Sequence, residues 1–362
     1  MSLSAPNAFG VYVHIPFCSK RCDYCAFATW TDRHHLHERY IAACITQLGR
    51  EQTQAATSVF VGGGTPSLIA PELLASVLVA IDTAPGAEVT VECNPDNVTP
   101  ELLRVYADAG VNRISLGVQS TAAHVLASLG REHDRDAVHR AVAAVNDVGI
   151  PSFNLDVIYG AAGESMVDWE ATLRDVVDLK PFHVSAYGLT VEAGTPLAGQ
   201  PQRHPDDDDQ AAKYTFAEEV LSAAGLANYE ISNWAVPDHE CRHNFLYWRQ
   251  GNYLGVGCAA HSHRDGRRWW NHRTPERYLD AIERGRSPEG GAEQLDEATR
   301  TFEALELLLR TREGVPGDVL DLDDPDLAGL VVPAGDRAVL TAAGRLLANE
   351  VALRLRVDAP NQ

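Results

Sequence analysis

The sequence predicts an α/β protein: an incomplete (β/α)6 barrel followed by a small, mainly helical C-terminal domain. Two observations carry this reading. Apolar runs of strand length alternate with segments of helical spacing through the first 200 residues, a pattern that gives a parallel sheet. After residue 291 the pattern changes to Leu/Ala-rich amphipathic stretches near 295–312 and 338–354, around an Asp/Pro-rich loop from Pro316 to Asp326.

In chain order the strand runs are Val11–Phe17, Ser58–Val61, Glu88–Asn94, Arg113–Gln119, Ser152–Tyr159 and His183–Leu189. Between them lie helical patterns at Glu38–Gly49, Pro71–Ile81, Pro100–Gly110, Asp134–Gly149 and Met166–Leu179, several ending in the glycine that suits a helix C-terminus. Successive strand side chains point to opposite faces. Arg113, Ser115, Gly117 and Gln119 therefore share one face and Ile114, Leu116 and Val118 the other; Ser152, Asn154 and Asp156, and Glu88, Thr90 and Glu92, repeat the arrangement. A closed eight-stranded barrel fills its lumen with branched apolar residues, so polar lumen faces imply a wider or incomplete barrel around a polar ligand. An antiparallel sheet with one wet face is the other arrangement open to such strands. The Gly/Pro/Gln-rich stretch 194–205 marks a boundary. The expected division is thus a barrel over 1–200, a connecting region over 201–290 and a helical domain over 291–362.

Thirty basic against fifty acidic side chains leave a net charge of −20, which disfavours nucleic acid as a partner. The first residues lack a basic leader region and no run is long enough to span a membrane, so a cytoplasmic location is expected. Seven cysteines, three within eight residues, suit metal binding in a reducing compartment better than a disulfide framework.

Those three, in HIPFCSKRCDYCAF, end the first strand. At spacing C-x3-C-x2-C, Cys18, Cys22 and Cys25 can each bind one iron of a [4Fe-4S] cluster and leave the fourth iron for a small molecule. Zinc is the alternative, but it calls for a fourth protein ligand. Gly62-Gly63-Gly64-Thr65-Pro66 follows the second strand directly, where side-chain-free backbone can approach a ligand. Glu92, Gln119, Arg131 and Asp156 lie at or beyond the next polar strand ends.

The cysteine spacing resembles the radical S-adenosylmethionine superfamily. The motifs YVHIPFC, FVGGGTP, VECNPD, ISLGVQS, LGREHD and NLDVIYG resemble the branch that holds the oxygen-independent coproporphyrinogen III oxidases and the HemW-type heme chaperones. The resemblance implies S-adenosylmethionine chelated to the open iron and cleaved to a 5′-deoxyadenosyl radical. It carries over Tyr12, Tyr24, Gly63, Gly64, Thr65, Glu92, Gln119, Arg131 and Asp156 as cofactor contacts, with Thr190 matching less closely. Two departures from the oxidase pattern favour the chaperones: a short stretch before Cys18, and Phe27 where the oxidases resemble C-x3-C-x2-C-x-C. In addition, His243-Asn244-Phe245-Leu246-Tyr247-Trp248 resembles the H-N-x-x-Y-W motif associated with heme, which makes His243 the candidate heme contact. The implied function is uptake of heme and its transfer to an apo-acceptor such as a respiratory cytochrome, with transient contact to a membrane protein. Oxidative decarboxylation of coproporphyrinogen III is the alternative. Whether the cofactor is cleaved during heme transfer is left open.

Overall fold

The six runs read as strands form one continuous parallel sheet in the computed structural model, which describes residues 8–356. The first residues, read from the sequence as lacking a basic leader, fall largely in residues 1–7, outside the described residues. Strands β1 (Phe9–Ile15), β2 (Ala56–Gly63), β3 (Thr83–Cys93), β4 (Arg113–Gln119), β5 (Ser152–Tyr159) and β6 (His183–Gly188) lie side by side in chain order. All five neighbouring pairs are parallel. The connections carry α1 (His37–Glu51), α2 (Pro71–Ala80), α3 (Pro100–Asp108), α4 (Ala123–Ser128), α5 (Arg135–Val148) and α6 (Met166–Asp178), and α7 (Asp207–Ala223) follows β6.

Local chemistry fixes these helices. Thr99 and Asp134 cap α3 and α5, accepting from Leu102 N and Ala137 N, and Ser165 with Asp168 closes a reciprocal capping box on α6. Gly149, at φ +80°, ends α5 in the left-handed conformation. The apolar faces predicted for the strands are sealed under the helices: Val11, Val13, Val61, Val91, Ile114, Leu116, Leu155 and Val157 are fully buried in one core with Leu74, Leu103, Val138 and Leu173. Each such side chain contributes about 1.5–3 kcal/mol relative to exposure. The polar faces are thereby turned toward the lumen.

Beyond the six strands the sheet continues on both sides. At one edge β7 (Ala227–Glu230) and β8 (Asn233–Ala235) extend β6 antiparallel. At the other, β9 (Asn252–Val256) pairs parallel with β1, followed by antiparallel β10 (His261–Arg264), β11 (Arg267–Asn271) and β12 (Glu289–Gln294). β7 and β12 are the two edges of the twelve-stranded sheet, which stays open. Two further helices belong to this region, α8 (Arg242–Trp248) and α9 (Pro275–Glu283).

The C-terminal portion has its own core of Leu305, Leu308, Leu309, Val315 and Val351. It is built from α10 (Glu297–Leu309), the small sheet of β13 (Val315–Pro316), β14 (Val331–Ala334) and β15 (Arg337–Leu340), then α11 (Ala342–Leu346) and α12 (Ala348–Ala352). The stretch 338–354, read as helical, thus begins as a strand, because Gly335 at φ +67° turns the chain into a hairpin. No helix among the described residues is long and apolar enough to cross a membrane.

Candidate functional site

The cluster loop runs from the end of β1 back onto itself. Trp30 N donates to Pro16 O (2.7 Å) and Cys18 N to Trp30 O (3.1 Å), and Cys25 N donates to Cys22 O (3.2 Å) within the turn. Cys18, Cys22 and Cys25 are half-buried free thiols. Burial pushes the Cys18 and Cys25 thiols up, and the neighbouring thiols add to it. Among the described residues no three His, Cys, Asp or Glu side chains gather around a point as a single ion requires. Three thiols on one loop, with no fourth His, Cys, Asp or Glu grouped with them among the described residues, fit the corners of a cubane better than tetrahedral zinc. Two donors face these sulfurs: Thr65 Oγ1 toward Cys18 Sγ (3.8 Å) and an Arg131 guanidinium N–H toward Cys22 Sγ (3.6 Å). Such donors suit thiolates that carry charge onto a metal.

The glycine run is required by the fold itself. A Cβ on Gly62 would lie 2.7 Å from Glu92 Oε2, one on Gly64 would lie 2.6 Å from Phe17 O, and one on Gly63, at φ +113°, would strike the His14 ring. These glycines let the end of β2 close against the cluster loop, with Gly64 N on Ile15 O (2.7 Å) and Thr65 N on Phe17 O (2.8 Å). Gly63 N also donates to Glu92 Oε2 (3.0 Å).

Glu92 and Asp156 line the same lumen cavity. Burial, and then the Asp156 charge, push the Glu92 carboxyl up to about 7. Asp156 is also raised by burial, although it accepts from Ser115 Oγ (2.8 Å) and Asn154 Nδ2 (2.7 Å). A buried acidic pair of this kind is suited to a cationic or hydroxyl-bearing ligand. It also predicts a pH effect. Because folded Glu92 holds its proton more tightly than the ordinary value of 4.5, stability is lost as pH rises from there to about 7. The loss is at most roughly 3 kcal/mol. Glu92→Gln should flatten that part of the pH dependence, measured as urea midpoints at pH 5 and pH 8; an unchanged slope would rule out Glu92 as its source.

Arg131 bridges the cluster loop to the strand ends, its guanidinium also donating to Asn94 Oδ1 (2.9 Å) and Gly117 O (3.1 Å). Beside it Gln119 adopts φ +64°, at a register shift between β4 and β5. A bulge with a left-handed non-glycine residue re-aims a side chain at a strand end, and no sequence pattern announced it. Tyr24 packs against the apolar cluster of Val125, Leu129 and Leu189, and Tyr12 OH meets His14 Nδ1 (3.1 Å). Thr190 is exposed, its hydroxyl on Gly188 O. The remaining candidates surround the cluster loop or line the lumen.

Not every polar lumen residue is open to a ligand. Glu88 accepts from the amides of Arg242 (3.2 Å) and His243 (3.1 Å), and Arg113 donates to Ser152 Oγ and His239 O. These side chains anchor the segment that carries α8 against the barrel. His243 is fully buried, with Nδ1 at 2.9 Å from Ser58 Oγ and Nε2 at 2.8 Å from Tyr247 OH. Burial takes its pKa down to about 3, so the ring is neutral. Cys241 is buried too, its thiol directed at Glu88. Two cavities meet here. One of about 200 Å3, inside the barrel, is lined by Glu92, Asp156, Tyr187 and His243. The other, about 560 Å3, lies between the cluster loop and the β9–β11 extension, with Phe27, Tyr253 and His261 on its walls. Tyr12 and Tyr247 border both.

Comparison with known proteins agrees with this geometry. The model of the Radical SAM superfamily matches residues 12–176. The heme chaperone HemW of Mycobacterium tuberculosis is 40% identical over 95% of this chain and 93% of its own length. That of Escherichia coli is 33% identical over 94% and 96%. Among solved structures, coproporphyrinogen III oxidase (HemN) from Escherichia coli superimposes with a TM-score of 0.82 at 21% identity, covering 96% of this chain and 89% of that one, a likeness of fold. With an open parallel barrel, three thiols on one loop and full-length relatives at this identity, the chain belongs to the HemW family of heme chaperones within the radical SAM superfamily.

Proposed function

We propose that this chain is a heme chaperone that takes up heme and passes it to an acceptor protein, working in the cytoplasm on a radical SAM scaffold. The observation that carries the reading is near full-length identity to proteins named heme chaperone HemW. In this reading Cys18, Cys22 and Cys25 hold a [4Fe-4S] cluster. Tyr12, Tyr24, Gly63, Gly64, Thr65, Glu92, Gln119, Arg131 and Asp156 surround S-adenosylmethionine, and His243 serves the heme-binding region. Residues 1–200 form the cofactor barrel, 201–290 the connecting region and 291–362 the terminal domain. When bound, the cluster and S-adenosylmethionine supply one-electron chemistry. The protein's own share is electrostatic: Arg131 balances thiolate charge at Cys22, and Glu92 with Asp156 offers negative charge to the cofactor's cationic groups.

Membrane-bound respiratory cytochromes are the acceptors in this proposal, met through transient contact. Phe27, 65% exposed on the cluster loop, supports the chaperone over the oxidase because it offers flat apolar surface beside a cavity of macrocycle size. The test is an anaerobic hemin titration of the cluster-reconstituted protein followed at the Soret band, then mixing with an apo-cytochrome. Saturable binding and a Soret shift to that of the acceptor are expected. Failure to saturate, together with conversion of coproporphyrinogen III, would move the assignment to the oxidase.

A further inference from the structure

We propose that heme sits in the 560 Å3 cavity between the cluster loop and the β10–β11 hairpin, with His261 as its iron ligand and Arg273 as partner to a propionate. The proposal rests on the heme-chaperone reading and gives it a place and a ligand that the motif around His243 does not supply.

Size separates the two cavities. The lumen around His243 holds about 200 Å3, below the ~300–1,000 Å3 typical of sites that bury a cofactor-sized molecule, whereas its neighbour holds about 560 Å3. Ring chemistry separates the histidines. Both nitrogens of His243 are engaged by Ser58 and Tyr247, those of His14 by Tyr12 OH and Ala28 O (2.9 Å), and those of His263 by Gly251 O (2.8 Å) and Gly266 N (3.1 Å). An imidazole can ligate iron only through a free nitrogen lone pair. Among these histidines bordering the two cavities, His261 is the one whose side chain makes no hydrogen bond or ion pair to a described residue. It is exposed on the face of β10 that carries His263, and its cross-strand partner Trp270 stacks on it at 5.6 Å and 29°. That stacking fixes the ring while leaving its edge accessible. Partial desolvation against the cavity wall and then the charge of Arg268 hold its pKa below the usual histidine value, which favours the neutral, ligating form.

The remaining walls match a dicarboxylate macrocycle. Phe27 and Tyr253 supply aromatic surface, and two cations stand at the lining in a chain of net charge −20. Arg268 is already paired with Glu293 (2.8 Å) and Glu303 (3.0 Å), whereas Arg273 is exposed and makes no hydrogen bond or ion pair to a described residue. Arg273 is therefore free to bind a carboxylate. The H-N-x-x-Y-W segment then acts at one remove. His243 holds the hydroxyl of Tyr247, and Tyr247, packed edge-on against Tyr253 at 4.7 Å, is part of the wall between lumen and cavity. His243 is a positioning residue, and Phe27 lines the macrocycle's cavity on the side of the cluster loop.

The experiment is the anaerobic hemin titration of cluster-reconstituted protein, read by absorbance and electron paramagnetic resonance, on wild type, His261→Ala, Arg273→Ala and His243→Ala. His261→Ala should lose the imidazole-ligated spectrum and bind at least roughly tenfold more weakly, with added imidazole restoring the spectrum. Arg273→Ala should weaken hemin binding while leaving binding of the iron porphyrin dimethyl ester unchanged. His243→Ala should bind more weakly with the wild-type ligand signature intact. Wild-type binding alongside a His261→Ala variant of unchanged spectrum and affinity would overturn this site alone. Loss of the ligand signature in His243→Ala, with His261→Ala unaffected, would overturn it in favour of the lumen. A wild type that takes up no hemin would overturn the chaperone reading as well.

Discussion

Replacing Cys22 with alanine is expected to abolish the [4Fe-4S] chromophore while leaving the fold intact. In the proposed site each of the three thiolates would secure one iron, so removing one would open a second iron to solvent on a loop that is already half exposed. Cys22 is also the sulfur reached by Arg131, whose guanidinium ties the loop to Asn94 and the end of β4, so its loss uncouples the cluster from the barrel wall. The fold should survive because none of the three sulfurs belongs to the apolar core. Iron and sulfide per chain after anaerobic reconstitution should fall to background with an unchanged far-ultraviolet circular dichroism spectrum. Retained visible absorbance in that variant would remove the cluster from this loop. Arg131→Lys should give an intermediate result, weaker retention by about 10–100-fold, since a second donor to a ligand is lost and not the ligand.

Lys213→Ala is expected to destabilise the protein by about 3–5 kcal/mol, because it leaves a buried carboxylate without its partner. Lys213 on α7 has no exposed surface; its Nζ meets Glu164 Oε2 (3.1 Å), Glu164 O (2.9 Å) and Asp209 Oδ2 (2.6 Å). Glu164 is equally sealed in and also accepts from Gly160 N (2.7 Å) in the loop that leaves β5. Burial already raises the Glu164 carboxyl against the lowering influence of the ammonium. Without Lys213 it rises further, so folded Glu164 keeps its proton to higher pH and the deficit should grow as pH rises above the carboxylate range. Urea unfolding at pH 5 and pH 8 measures both effects. The double variant Lys213→Met with Glu164→Gln should recover most of the loss; equal instability of single and double variants would show that packing, and not the stranded charge, is responsible.

Much of this architecture was legible in the sequence because it is written in short periods. The alternation in Arg113–Gln119 and Ser152–Tyr159 gave both strands their bounds and their faces, and the helical spacing of Pro100–Gly110 announced α3. The cysteine spacing and the glycine run located the loop region because both are local. What the sequence did not show depends on pairings distant in the chain. Asn252–Val256 is a short run with no clear period, yet it pairs in parallel with β1 and builds one wall of the larger cavity. Glu88 reads as a lumen residue, but it is spent on the amides that open α8, a partnership no spacing encodes. The hairpin of β14 and β15 did leave a signal, Gly335 between two short apolar runs, which the surrounding Leu/Ala pattern obscured. His243 has the residue type of a metal ligand, and only its two hydrogen bonds reveal how it is engaged.

The pairing of β1 with β9 has a consequence for biogenesis. Val13 takes its place beside Val256, so β1 leaves the ribosome with one side unpartnered until synthesis has reached Val256. At ~5–20 residues per second that interval is on the order of ten seconds or more. Throughout it the nascent chain offers an apolar strand edge, Val11-Tyr12-Val13-His14-Ile15, to any other chain nearby. Slow translation or crowded overproduction should therefore divert this protein into aggregates before the barrel wall is complete, and holdase chaperones that cover the edge until β9 emerges should raise its soluble yield.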